Sequence, residues 1–255
     1  MMLVHLRALD MMTLRQSNQS FLAQVPCFII HKRPYREHDF LLDILTLSNG
    51  RISAVARFGK RGALKNAGLL QPFIPLTMNL VKNYSSLWNV GTVNPHGKPF
   101  DFGLPNIFCA QYINELLYNL CHEEEGNSQL FASYLETLSL LEKNTDVKLS
   151  LRQFESVLLN ILGYAPNFAD AFGNRFDESL FYSFDPQNGF KVCFDKSLEC
   201  FSGKVLLNIA EGNCSGANEL RVLQKVHSRL FKMLMNYKPL HSHELYSQYL
   251  SMQEI

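Results

Sequence analysis

FLLDILTLSNGRISAVARF, residues 40–58, carries the fold in miniature. A largely apolar run over 40–47 meets Asn49-Gly50, the favoured pair where central turn residues need positive φ, and a second run over 51–58 alternates Ile52, Ala54 and Ala56 with more exposed positions. That pattern predicts a hairpin. Working outward, residues 25–30 (VPCFII) read as a preceding strand ending in a charged loop over 31–36, and residues 73–81 and 87–93 read as two following strands. Five short strands within about 70 residues suggest a small closed barrel, with the OB-fold, a five-stranded nucleic-acid platform, leading and an SH3-like barrel of similar length still open.

Past the Pro- and Gly-rich stretch 95–105 the period changes. Residues 107–121 and 130–141 space their apolar side chains three and four apart, as amphipathic helices do. A third helix is the clearest: Ser150 and Gln153 form a capping box, Leu151, Phe154, Leu158 and Ile161 or Leu162 supply a buried stripe, and Gly163 stands at the C′ position. Residues 180–194 revert to strand spacing and predict an isolated hairpin. Residues 203–208 and 219–237 return to helix, the latter stopped by Pro239, and a last helix over 243–252 takes Ser242 as its N-cap. The expected class is α+β: an N-terminal five-stranded OB-fold β-barrel over 23–95, then a mainly α-helical domain over 96–255 with an inserted β-hairpin near 180–194. Residues 1–22 read equally as an extra N-terminal arm or as the product of a start assigned too early, with Met11 and Met12 just inside it.

Composition, 47% hydrophobic and 18% charged, excludes global disorder. The net charge of +1 hides an asymmetry: residues 1–95 hold 11 Lys and Arg against 4 Asp and Glu, a balance of +7, and the remainder holds 13 against 19, a balance of −6. A basic front attracts polyanions such as nucleic acid or anionic membrane, and local clustering of the charges favours nucleic acid. Cys27, Cys109, Cys121, Cys193, Cys200 and Cys214 include no C-x-x-C pair, which with the absence of a signal-peptide pattern predicts reduced thiols and a cytoplasmic location.

Lys32, Arg33, Arg36, Arg51, Arg57, Lys60, Arg61 and Lys65 form the basic cluster. Such residues gain affinity for a phosphate backbone by releasing condensed counterions. Among the aromatics, Tyr35 in the charged loop is the candidate for base stacking, whereas Phe40 and Phe58 are expected to pack in the core, and Trp88 waits on its exposure. The plain alternative for the cluster is a solvated loop face. Arg221, Lys225, Arg229 and Lys232 recur at helical spacing and share one face, which serves either as solvated surface, as dock for an acidic peptide, or as an extension of a DNA path. Glu123, Glu124 and Glu125 read as a solvated helix end rather than an acid/base pair. P-loop, nucleophile-elbow and H-E-x-x-H motifs do not occur, so no enzyme is expected. Cys193, Cys200 and Cys214 with His241 and His243 lack the close paired spacing of a zinc site, so neither metal nor cofactor is expected.

Seven blocks in order resemble the RecO family of recombination mediators: HKRPYREHDFLLDILT at 31–46, NGR at 49–51, LLQPFIPL at 69–76, YINELL at 112–117, LRQFE at 151–155, LGY at 162–164, and KPL at 238–240 with EL at 244–245. The resemblance implies an OB-fold followed by a helical domain in a non-enzymatic, cytoplasmic and nucleoid-associated protein. It implies binding of single- and double-stranded DNA, annealing of complementary strands, and action with RecR to load RecA onto DNA coated by single-strand-binding protein. That protein's acidic C-terminal tail is expected on the helical domain, at Arg221, Lys225, Arg229 and Lys232. Many members carry a four-cysteine zinc site after the Leu-Gly-Tyr segment; residues 167–193 hold no such set, so the chain resembles the zinc-free branch. The loop after Arg57 is less basic than the family pattern, and the first 20 residues have no counterpart in it. A rival reading is a protein-interaction scaffold whose basic loops are merely solvated.

Overall fold

The computed structural model describes residues 20–58, 67–83, 85–194 and 199–253. The expected arm lies mostly outside these. Two compact units emerge, one comprising Met1–Phe100 with Cys121–Phe131, the other Asp101–Leu120 with Ala132–Ile255. Expected as a single cut near residue 95, the division instead sends eleven residues after the first helix back to the first unit.

That unit is a closed barrel in the order β1-β2-β3-β5-β4, built from β1 (Ser20–Tyr35), β2 (Asp39–Thr46), β3 (Gly50–Ala56), β4 (Leu76–Lys82) and β5 (Trp88–Pro95). All pairings are antiparallel except the parallel β3–β5 closure. This is the OB-fold arrangement. Closure depends on β1, whose first half pairs with β4 and whose second half pairs with β2. Register shifts between Leu22 and Val25 and between Ile29 and His31 bend the strand around the barrel, as bulges do. Residues 31–35, expected as loop, therefore continue β1: their charge disguised a strand whose partners, Asp39 to Asp43, follow immediately in sequence.

The β2–β3 turn also differs from expectation. Thr46 pairs with Gly50, so Asn49 belongs to a three-residue loop and Gly50 alone takes the left-handed φ of 64°, while Thr46 Oγ1 donates to the Gly50 carbonyl. Period-two alternation sends Leu42, Ile44, Ile52, Ala54 and Ala56 inward to meet Cys27, Ile29, Leu76 and Met78. Phe40 and Phe58 pack edge-on at 5.6 Å against this core, as expected of them.

The second unit contains α1 (Asn106–Leu120), most of α2 (Ser128–Glu142), α3 (Val147–Ile161), α4 (Gly203–Ala210), α5 (Ala217–Leu234) and α6 (His241–Gln253). The expected hairpin is present as β6 (Phe181–Asp185) and β7 (Gly189–Val192), but a two-residue β8 (Phe201–Ser202) on the far edge of β6 makes a three-stranded sheet. Cys193 and Cys200 leave and enter its outer strands with Cα atoms 6.2 Å apart and are joined as a disulfide, correcting the expectation of six reduced thiols.

Two helix starts are displaced. α3 begins a turn before Ser150, whose hydroxyl donates back to the Val147 carbonyl instead of capping. α6 begins at His241, and its first amides donate to the Glu115 carboxylate of α1, at 2.8 Å from His241 and 3.0 Å from Ser242. A carboxylate remote in sequence thus does the work assigned to Ser242, at the helix end its charge suits. Gly163 ends α3 as expected: φ is 78°, its N–H donates to the Asn160 carbonyl, and that of Tyr164 donates to Leu159. Glu155, 1% exposed, draws the core together by accepting from Tyr112 Oη at 2.8 Å, from Arg152, and pairing with His227 Nδ1 at 2.8 Å. Among the described residues no helix is long and apolar enough to cross a membrane, and no group of three or more His, Cys, Asp or Glu is placed to hold a metal.

Candidate nucleic-acid interface

The register of β1 sorts the basic cluster by face. Lys32 stands opposite Leu42, an interior residue, whereas Arg33 stands opposite Leu41 and Tyr35 opposite Asp39 on the outer side. Arg57, one residue beyond β3, continues the outward alternation of Arg51, Ser53 and Val55, and the adjacent Phe58 N–H donates to Asp39 at 3.1 Å. Arg33, Tyr35 and Arg57 are therefore gathered at the β1–β2 hairpin end of the barrel. Arg36, at φ 55° in the turn itself, lays its guanidinium 5.2 Å from the Tyr35 ring centre. Arg33, Arg36 and Arg57 are exposed and Tyr35 is half-buried. Among the described residues none of these three arginines has a salt-bridge partner. Lys60, Arg61 and Lys65 lie outside the described residues.

Lys32 and Arg51 are used differently. Lys32 donates to the Leu70 carbonyl at 3.0 Å with its ammonium 4.3 Å from the Phe40 ring centre. Arg51 bonds Asp43 at 2.8 Å and the Cys121 carbonyl at 3.0 Å, with Glu123 at 3.7 Å. Burial alone would raise the Asp43 carboxyl; the His31 imidazole and Ser53 hydroxyl beside it and the Arg51 charge more than offset it and hold the group below its ordinary range.

Sequence reasoning missed the strap that Arg51 helps to hold. Residues 121–126 run against the outer wall, with Arg51 bridged in parallel to Glu123 and the Glu124 N–H donating to the Arg51 carbonyl at 2.8 Å. Glu123 accepts from Ser53 Oγ at 2.5 Å, and Glu124 accepts from Trp88 Nε1 at 2.8 Å and from Lys82. The Lys82 and Trp88 donors hold Glu124 below its ordinary value. Main chain meets main chain here, since a Cβ at Gly50 would overlap the Glu125 carbonyl and one at Gly126 the Ser48 carbonyl. Glu123 and Glu124 are thus strap anchors and not a solvated helix end. Trp88, 6% exposed, faces the core and offers only its N–H edge.

On α5 the four cations lie within one helix but not in one state. Arg221 and Lys232 are exposed. Lys225 and Arg229 both pair with Glu199, and Arg229 also donates to the Phe184 carbonyl at 2.8 Å.

A five-stranded barrel closed in the order β1-β2-β3-β5-β4, followed by a helical unit, defines the class as an OB-fold protein with a helical C-terminal unit. Comparison with known proteins narrows this. The family model described as Recombination protein O N terminal matches residues 21–96, and that described as Recombination protein O C terminal matches residues 103–236. The DNA repair protein RecO of Tolumonas auensis is 33% identical over 229 residues, covering 89% of this chain and 95% of that protein. That of Sodalis glossinidius is 34% identical, covering 88% and 86%, and that of Coxiella burnetii strain CbuG_Q212 is 34% identical, covering 86% and 96%. The chain belongs to the RecO family of DNA repair proteins.

Proposed function

We propose that this protein is a non-enzymatic, cytoplasmic recombination mediator that holds single- and double-stranded DNA on the hairpin rim of its barrel and anneals complementary strands. The rim is Arg33, Tyr35, Arg36 and Arg57, and we add Lys60, Arg61 and Lys65, which follow Arg57 in the sequence, as further phosphate-binding cations. Its cations neutralise two phosphate backbones so that base pairing, which supplies all the specificity, proceeds between them. Acting with RecR, the protein helps RecA replace single-strand-binding protein. The observation that carries the reading is the grouping of three exposed arginines and Tyr35 at one end of an OB barrel.

Anisotropy of an unstructured, labelled oligonucleotide at low and moderate salt tests it. Replacing Arg33 and Arg57 by Ala is expected to weaken binding to all sequences alike and to flatten the salt slope by about 0.7 for each phosphate that is no longer neutralised. An unchanged slope removes the rim, and no binding by the parent protein favours the protein-interaction scaffold. Annealing of oligonucleotides coated with single-strand-binding protein tests the mediator role. For α5 we propose capture of that protein's acidic tail, supported by the exposure of Arg221 and Lys232 at the two ends of the stripe.

A further inference from the structure

Four side chains of the barrel wall converge on the strap carboxylates. Arg51 and Ser53 of β3, Lys82 of β4 and Trp88 of β5 all direct N–H or O–H groups at the carboxylates of two consecutive residues, Glu123 and Glu124. Carboxylates and phosphodiesters accept from the same donors. The strap carboxylates also face solvent, with the Glu123 and Glu124 side chains 48% and 43% exposed. Arg51 and Ser53 share the outward face of β3 with Arg57 of the rim, and Ser53 lies about 13 Å along the chain from Arg57, a few nucleotides of extended backbone.

We propose that Arg51, Ser53, Lys82 and Trp88 form a second subsite for the phosphate backbone of single-stranded nucleic acid, kept closed by Glu123 and Glu124 standing where phosphates would lie. The proposal rests on the reading of the barrel as a DNA-binding unit. Strap displacement exchanges two carboxylates for two phosphates on the same side-chain donors, and releases the Glu124 N–H from the Arg51 carbonyl and the Arg51 guanidinium from the Cys121 carbonyl. In the closed state the strap confines DNA to the rim. Charged Glu124, held below its ordinary value by Lys82 and Trp88, keeps the subsite closed at neutral pH.

The chain's single tryptophan is Trp88, so its emission arises only from this position, where the indole N–H meets the strap. In the full-length protein, oligo-dT is expected to bind while leaving Trp88 emission unchanged. In E123Q/E124Q, which removes the mimicking charge, oligo-dT is expected to quench Trp88 and to bind about two- to fivefold tighter, the scale of an exposed charge interaction, with a steeper salt slope. Gly126→Ala supplies a second route that keeps both carboxylates: its Cβ collides with the Ser48 carbonyl and lifts the strap. The same quenching and gain are expected from it. Lys82→Ala in the E123Q/E124Q background is expected to cancel the gain. Unchanged emission and affinity in both strap variants, with far-UV circular dichroism matching the parent, would overturn the subsite and leave the rim intact. Failure of the parent and of every variant to bind oligo-dT would instead overturn the DNA reading itself, and the subsite with it.

Discussion

The hairpin rim and the outer wall of the barrel draw on the same residue types and put them to opposite uses. At the rim, Arg33, Arg36 and Arg57 extend into solvent beside Tyr35. On the wall, Arg51 is enclosed by Asp43, the Cys121 carbonyl and Glu123, and Lys82 is held by Glu124. Both sets contribute to the +7 balance of the front of the chain, yet only the first offers uncompensated charge to a polyanion. The difference teaches that net charge counts candidates, while the partners brought by the fold decide which of them remain available. α5 repeats the lesson on one helix, where Glu199 claims the middle two cations and leaves the ends exposed.

If the wall is structural, cutting its buried carboxylate should have the largest effect. Asp43→Ala takes from Arg51 a carboxylate acceptor that is 2% exposed, and is expected to cost about 3 kcal/mol in urea unfolding, the scale for breaking a buried pair. A loss no larger than that of a surface substitution would erase the distinction between wall and rim. Acid titration sharpens it. Because the Asp43 carboxyl is held below its ordinary value of 3.8 in the folded protein, its contribution is fully present above that value and is lost as pH falls through the lower folded one. Thermal melts of Asp43→Asn are therefore expected to lose stability less steeply than the parent in that acid window, with no such flattening from Arg33→Ala. On α5, Arg229→Glu is expected to destabilise by about 1 to 2 kcal/mol, since it removes the bond to the Phe184 carbonyl and sets two acids together. Arg221→Glu should leave the melting temperature unchanged and weaken acidic-peptide binding instead.

How much of this could be read in advance followed from how local each signal is. Alternation at Ile52, Ala54 and Ala56 and the three-four spacing at Leu151, Phe154 and Leu158 are set by periods of a few residues, so barrel and helices were legible. The strap was not, because Glu123 meets Ser53 across 70 residues and Glu124 meets Trp88 across 36, and adjacent glutamates otherwise look like solvated charge. The same distance hid the cap of α6, supplied by Glu115 from 126 residues away. In residues 31–35 a local signal misled. Charge marked a loop, although outward positions of a barrel strand are free to carry it. For the basic cluster, the division between exposed and engaged side chains was not legible, since it depends on which side of β1 each side chain leaves.

A small expected effect on stability separates rim from wall most cleanly. Arg33→Ala with Arg57→Ala removes exposed side chains that have no salt-bridge partner among the described residues, so unfolding free energy should move by less than about 0.5 kcal/mol. Relief of repulsion between neighbouring guanidiniums opposes the loss of their apolar stems along the strand, which keeps the net change near zero. DNA affinity should fall in the same variant. A protein in which stability and binding fell together would show that the rim is built into the barrel as firmly as the wall. A protein that lost binding alone would show charge retained at a cost to nothing but solvent, the condition a surface must meet to let go of one strand and take another.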